Sequence, residues 1–273
     1  MKPTQRERGV TFRDLHAREQ AFVIPNPWDA GSARLLEALG FEALATTSSG
    51  FAYSLGRWDG EVTLDEKIEH CRALTAATSL PVSADLENGF DHRPEGVAEA
   101  IRRIAESGVV GASIEDWSGD ESIGIYELDL AVERVAAAAE AARGLDFSFT
   151  LTARAENLLR GRPDLDDTIA RLSAYEAAGA DVLYAPALKT LAEVRAVVAA
   201  VSRPVNVLCS TLPGVTVADL EKAGARRISV GGAMAFASVT PVVGAAGEML
   251  EHGTFGWLES MLPSARLKEI LGD

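Results

Sequence analysis

Asp85 and Glu87 stand two residues apart in Ser83-Ala84-Asp85-Leu86-Glu87-Asn88-Gly89-Phe90, directly after a short apolar run, and Glu115 ends another in Ile114-Glu115-Asp116. Strand alternation would point Asp85 and Glu87 to the same side, and Gly89 permits the tight turn that follows. Hard cations such as Mg2+ take oxygen ligands and often keep several waters, so a few carboxylates are enough to hold one. Arg154, in Ala153-Arg154-Ala155-Glu156, follows a further apolar run. A guanidinium there can grip a carboxylate bidentately, a geometry lysine cannot copy. The segment Thr46-Thr47-Ser48-Ser49-Gly50-Phe51 adds hydroxyls and backbone amides, which suit an oxygen on which charge develops. Asp59, in Trp58-Asp59-Gly60, and Asn206 lie after or on other strand-like runs. The set reads as a metal-assisted enzyme site for a small carboxylate. Two other readings stay open: the acids cap helices and bind loop amides, and Arg154 pairs with Glu115 or Glu156 as scaffolding.

Eight short β-like runs are needed to position these residues, and the chain has eight: Phe22–Pro25, Ala43–Thr47, Val82–Asp85, Gly111–Glu115, Phe147–Ala153, Val182–Ala185, Val205–Leu208 and Ile228–Gly231. Most are apolar on both faces, as parallel strands covered by helices should be. Helical spacing separates them, at Ala30–Leu39, Leu64–Thr78, Pro94–Ser107, Leu128–Arg143, Leu165–Ala178, Leu191–Val201, Val217–Lys222 and Met234–Glu251. Gly40, Gly108, Gly179 and Gly224 mark helix exits. The rhythm predicts an α/β fold, a (β/α)8 TIM-type barrel spanning residues 1–273, whose post-strand loops converge on one face. An extra helix is expected before Phe22. A helical extension over residues 253–273 carries Phe255, Trp257, Leu258, Met261, Leu262 and Leu267, an apolar set that predicts a homo-oligomer.

A formal net charge of −14 disfavours nucleic acid and anionic membranes as partners, so an anionic substrate must be captured by local charge. The two cysteines, Cys71 and Cys209, show neither a disulfide framework nor zinc spacing. Cys209 reads as a packing residue, and His92 as a solvated loop histidine. No signal core is evident in the charged stretch Met1–Gln20, and no uninterrupted apolar run reaches the ~18 residues of a membrane span. The expected location is cytoplasmic.

At these residues the chain resembles the isocitrate lyase/phosphoenolpyruvate mutase superfamily. The similarity runs from Val23-Ile24-Pro25-Asn26-Pro27-Trp28-Asp29 to about Phe236 and is carried by Ser48-Ser49-Gly50-Phe51, Asp59, Asp85-x-Glu87-x-Gly89, Ile114-Glu115-Asp116 and Ala153-Arg154-Ala155-Glu156. The resemblance implies a barrel, a homotetramer with an exchanged C-terminal helix, and Mg2+, or Mn2+ in its place, held partly through water. It implies that Asp85, Glu87 and Glu115 are metal-site residues and that Ser48, Ser49, Gly50, Phe51 and Arg154 contact the substrate. Asp59 becomes an acid near the ion's water shell.

Two departures bear on the reaction. C–C lyases of the superfamily carry a Lys-Arg-Cys-Gly-His-like lid after the Ile-Glu-Asp segment, whereas this chain has Trp117-Ser118-Gly119-Asp120-Glu121-Ser122-Ile123-Gly124-Ile125-Tyr126. It holds no cysteine and no basic residue. Glu87 stands where many relatives have aspartate. The expected activity is a Mg2+-dependent lyase or decarboxylase of a small 2-oxo or 2-hydroxy acid acting through an enolate, with Asp59, Glu115 and Arg154 as catalytic residues and Asn206 as a further substrate contact. The alternatives are a phosphonopyruvate-type mutase or hydrolase of a P–C bond, and a non-catalytic binder of 2-oxo acids.

Overall fold

The computed structural model describes residues 2–272. Eight parallel strands, β1 (Phe22–Ile24), β2 (Leu44–Ala45), β3 (Val82–Asp85), β4 (Gly111–Glu115), β5 (Thr150–Arg154), β6 (Val182–Tyr184), β7 (Val205–Leu208) and β8 (Arg227–Ser229), pair in the order β1-β8-β7-β6-β5-β4-β3-β2. Between β1 and β2 the circle is closed by one backbone hydrogen bond, Ala45 N–H to the Pro25 carbonyl at 3.1 Å. The result is a nearly closed (β/α)8 barrel.

Among the described residues the helices are α1 (Gln5–Ala17), α2 (Ala30–Ala38), α3 (Ser48–Ser54), α4 (Leu64–Ala77), α5 (Pro94–Ala105), α6 (Leu128–Arg143), α7 (Leu165–Ala178), α8 (Leu191–Ala200), α9 (Val217–Lys222), α10 (Ala233–His252) and α11 (Ser264–Leu271). Their inner faces explain why they pack. On α5, Val97, Ile101 and Ile104 recur at helical spacing and are fully buried, each contributing roughly 1.5–3 kcal/mol by leaving water. The four exit glycines have φ between 91° and 108°, which a side chain would strain.

The expected N-terminal helix is α1, begun by a capping box between Thr4 and Glu7. Its Phe12 is fully buried and packs so closely on Gly111, the first residue of β4, that a β-carbon there would come within 2.8 Å of the ring. So α1 plugs the end of the barrel opposite the post-strand loops.

Several boundaries differ from expectation. The fifth strand starts at Thr150 rather than Phe147 and runs one residue further, to Arg154, while β8 begins at Arg227 and ends at Ser229. Ser48–Ser54, expected as a loop, is helical, because Thr47 caps it by accepting from the Gly50 amide. The C-terminal extension forms a short 3-10 turn at Gly256–Ser260 followed by α11.

The 20-residue α10 is, by length and composition alone, apolar enough to cross a membrane. Ser238, Thr240, Pro241, Gly244 and Glu248 interrupt its apolar run, so the sequence holds no unbroken apolar span there. Ala235 is its one buried residue, and Val242, Val243 and Leu250 are more than half exposed.

Candidate active site

Strand register sets the site before any side chain is considered. Glu115 on β4 pairs laterally with Arg154 on β5, Arg154 with Tyr184 on β6, Tyr184 with Asn206 on β7, and Asn206 with Arg227 on β8. Lateral neighbours in a parallel ladder share a face, so these five polar residues form a row around the inside of the barrel.

Arg154 is the hub. Its Nη1 lies 3.0 Å from Asp85 Oδ1, and its Nη2 lies 3.0 Å from Glu115 Oε2 and 2.8 Å from Glu156 Oε1. Nε also donates to Glu156 Oε1, at 2.9 Å. The guanidinium thus makes the scaffolding contacts foreseen for it, and a substrate carboxylate would compete for the same N–H groups. Burial opposes ionisation of Asp85, but Arg154, Lys67 and the Ser48 amide outweigh it and hold the carboxyl below its ordinary range. At Glu115 the balance is reversed: burial, reinforced by Glu156 and Asp85, pushes the carboxyl up against the pull of Arg154.

Glu87 reaches the site by a different route from the one alternation implies. The strand stops at Asp85, and Glu87 adopts φ 50°, a left-handed conformation uncommon for a side chain of this size. Its Oε1 is buried with no hydrogen-bond partner. Burial raises its pKa to about 7, with Asp85 and Asp59 adding to the rise and Lys67 opposing it.

Two adjoining cavities receive these groups. One, of about 190 Å3, is lined by Ser48, Ser49, Asp59, Asp85, Arg154 and Asn206 among others. The second, of about 660 Å3, takes in Glu87 and Glu115, again with Ser48, Asp59 and Arg154, beneath Trp117, Ser118, Gly119 and Asp120 of the lid segment. Gly50 and Phe51 do not line either. Gly50 is pressed against Thr47 and Ala235, and Phe51 stacks on His70 at 3.8 Å with Lys67 Nζ 5.5 Å from its ring centre. Asp116 is also turned away, bonded to Tyr175 Oη at 2.6 Å, Arg171 Nη1 at 3.1 Å and the Glu156 amide at 2.8 Å. It is a brace behind Arg154.

The oxygen-only donor set suits a hard divalent cation, and the orphaned Glu87 Oε1 is an oxygen that such an ion would satisfy. Among the described residues no three acids or histidines converge closely enough to wrap an ion directly. The residues therefore fit a cation with few protein ligands and the remainder water.

Cys209 lines neither cavity, and His92 lines the larger one. His92 Nδ1 lies 2.6 Å from Tyr126 Oη at the cavity edge, and burial pushes the Cys209 thiol up rather than toward thiolate. Sequence reasoning missed Arg160, which stacks on Trp117 at 4.5 Å and lies 3.7 Å from Glu115, and Arg227, which lines the smaller cavity.

The pattern that defines the phosphoenolpyruvate phosphomutase family matches residues 12–250. A solved lyase/mutase-type protein from Burkholderia cenocepacia J2315 is 51% identical, superimposes with a TM-score of 0.95, and the match covers 98% of this chain and 97% of that one. The 2-methylisocitrate lyase of Escherichia coli K12 is 32% identical over 205 residues, 72% of this chain and 68% of that protein. An oxaloacetate decarboxylase from Rhodopseudomonas palustris BisB18 is 29% identical over 234 residues, 83% of this chain and 78% of that one. With this barrel, this site and these relatives, the chain belongs to the phosphoenolpyruvate phosphomutase family, within the PEP mutase/isocitrate lyase superfamily.

Proposed function

We propose that the chain is a Mg2+-dependent lyase that removes CO2 from a small 2-oxo diacid, with Mn2+ able to replace Mg2+. The observation that carries this reading is the composition of the lid above the acids: Trp117, Ser118, Gly119 and Asp120 face the cavity and bring neither thiol nor basic group. C–C cleavage that ejects a carbanion needs an acid beside it, whereas loss of CO2 does not.

Asp85, Glu87 and Glu115 would hold the ion largely through water, with Asp59 beside those waters. When bound, it supplies Lewis-acid stabilisation of negative charge on the substrate's oxo oxygen. The chain's own groups do the rest. The Ser48 and Ser49 hydroxyls border the same space as Asp85 and can donate to that oxygen as charge grows. Arg154 orients the carboxylate that the substrate keeps, and Asn206 lines the same cavity. The bond from the carbon beside the oxo group to the departing carboxylate breaks, its electron pair forms the enolate, and CO2 leaves. Water then returns a proton to the enolate carbon.

The name of one relative supports the substrate class, since it decarboxylates oxaloacetate. The testing experiment is a Mg2+-containing panel of oxaloacetate, substituted malates, methylisocitrate and phosphonopyruvate, read by pyruvate, CO2 and phosphate release. Pyruvate and CO2 from oxaloacetate are expected. Phosphate from phosphonopyruvate with no turnover of oxaloacetate would replace this reading with P–C chemistry, and binding without any turnover would leave a 2-oxo acid binder.

A further inference from the structure

Arg227 opens β8 with its side chain directed into the barrel, and the residue is only 5% exposed. Its Nε donates to Asn206 Oδ1 at 2.8 Å, and Asn206 Nδ2 in turn donates to Ser229 Oγ at 2.9 Å. Nη1 lies 3.5 Å from His16 Nε2. His16 Nδ1 is 2.7 Å from the Phe12 carbonyl, which can only accept, so the ring proton sits on Nδ1 and Nε2 offers Arg227 a lone pair. Burial, with Arg227 beside it, pushes the His16 pKa down to about 3, which keeps the ring neutral.

Both partners of Arg227 are therefore uncharged. Among the described residues no Asp or Glu pairs with it, and its cationic neighbour Arg154 repels it. Burial lowers its pKa to about 10, so it is still a cation at neutral pH. A buried charge without a counter-charge is costly, and such charges in proteins are nearly always paired or serve a ligand. Arg227 lines the 190 Å3 cavity that also holds Asp85, Ser48 and Arg154. Its contact with His16 on α1, the helix that plugs the far end, sets the Arg227 guanidinium toward the floor of that cavity. By contrast, the guanidinium of Arg154 is already shared among three carboxylates.

We propose that Arg227 is a second substrate anchor, an unpaired guanidinium deep in the catalytic cavity that receives the carboxylate the substrate keeps through the reaction. The kept group is specified by chemistry. A guanidinium stabilises a carboxylate more than neutral CO2 and so opposes loss of whatever carboxylate it grips. Held this way, the substrate has its departing carboxylate toward the mouth, on the side of Glu115 and Asp59. Asn206 is then a positioning residue that aims Arg227. This rests on the smaller cavity being the 2-oxo acid site.

The test combines the ligand-free melting temperature with oxalate affinity by calorimetry at fixed Mg2+, for the full chain and for Arg227→Gln and Arg227→Lys. Glutamine removes the charge but keeps amide donors for Asn206 or His16, so the ligand-free melting temperature should stay level or rise. Oxalate affinity should fall roughly 10- to 100-fold in Arg227→Gln and less in Arg227→Lys, which keeps the charge and loses the planar fork. Oxalate affinity within about twofold of the parent in Arg227→Gln would overturn the proposal, and the same result in Arg227→Lys would do so if the glutamine variant does not fold. Oxalate binding that depends on Arg227, without turnover of any 2-oxo acid, would sustain this anchor and sink the decarboxylase. Turnover with an unchanged anion affinity in Arg227→Gln would do the reverse.

Discussion

Glu156 holds Arg154 through a single carboxylate oxygen, Oε1, which lies 2.9 Å from Nε and 2.8 Å from Nη2. Glu156 is itself fully buried, and its other oxygen has no hydrogen-bond partner. This pairing fixes the plane of the guanidinium, and through it the spacing of Asp85 and Glu115 on neighbouring parts of the barrel. Removing one partner of a buried pair leaves the other charge uncompensated, at a cost of about 3–5 kcal/mol. Glu156→Ala is expected to lower unfolding free energy by that amount in urea titrations, and Arg154→Ala by at least as much, because three acids lose their cation. Unchanged stability in both would mean that the carboxylate cluster does not depend on Arg154.

Metal affinity should depend on pH in a definite direction. Burial, with Asp85 and Asp59 nearby, raises the Glu87 carboxyl to about 7, so below that pH a proton competes with the cation for Glu87. Mg2+ affinity measured by calorimetry should weaken as pH falls from 8 to 6, by up to about tenfold per unit below the pKa. Glu87→Gln should bind more weakly and lose part of this slope, with Glu115, also pushed up by burial, keeping the rest. An equally steep slope in Glu87→Gln would assign it to another group.

Stability should depend on pH through two buried histidines. Burial lowers His16 to about 3 and His70 to about 4. Below pH 6.5 the unfolded chain takes up protons that the folded chain refuses, so stability falls as pH drops from about 6.5 toward 4. Glu87 acts oppositely, since its raised pKa lets the folded protein bind a proton between about 7 and 4.5, and burial gives Glu115 the same sense. The change in melting temperature between pH 7 and 5 should therefore be more negative in Glu87→Gln than in the parent. The same pH response in Glu87→Gln as in the parent would contradict the raised carboxyl of Glu87.

Much of this arrangement was legible in the sequence, because parallel-strand runs and exit glycines recur around the chain at a regular interval. Acids and an arginine at strand ends then follow from barrel topology. What was not legible depends on three-dimensional spacing. Ser48-Ser49-Gly50 reads as a turn until Thr47 is seen to cap it as a helix. Arg227 fell one residue outside the expected eighth strand, so its inward direction was lost. That Arg154 meets three carboxylates, and that Gly50 and Phe51 pack away from the cavity, is set by barrel radius and register rather than by any local pattern.

Cysteine chemistry has no place in the account. Cys71 is fully buried with its thiol pushed up to about 12, and burial raises Cys209 as well. Turnover by Cys209→Ser should stay within about threefold of the parent, the size of effect expected when no bond-making group is lost. Loss of turnover in a folded Cys209→Ser protein would reinstate a thiol acid.

The exposed apolar residues of α10 and the C-terminal segment, among them Phe236, Val242, Val243, Leu250, Phe255, Met261 and Leu262, form a larger apolar surface than a monomer usually leaves in water. A homo-oligomer that buries them is expected, a tetramer if the chain assembles as its superfamily resemblance implies. Light scattering at micromolar concentration checks this, and a monomer would refute it.

Metal-dependent decarboxylation is open to a direct measurement. Protein stripped with chelator is mixed with oxaloacetate, then reloaded with Mg2+, while pyruvate and CO2 are followed together and the rate with Mg2+ alone is subtracted. No turnover is expected without metal, and equal amounts of pyruvate and CO2 on reloading. A folded Asp85→Asn protein should restore almost none of that rate. Full turnover in metal-free protein, or cleavage to oxalate and acetate in place of pyruvate and CO2, would contradict it.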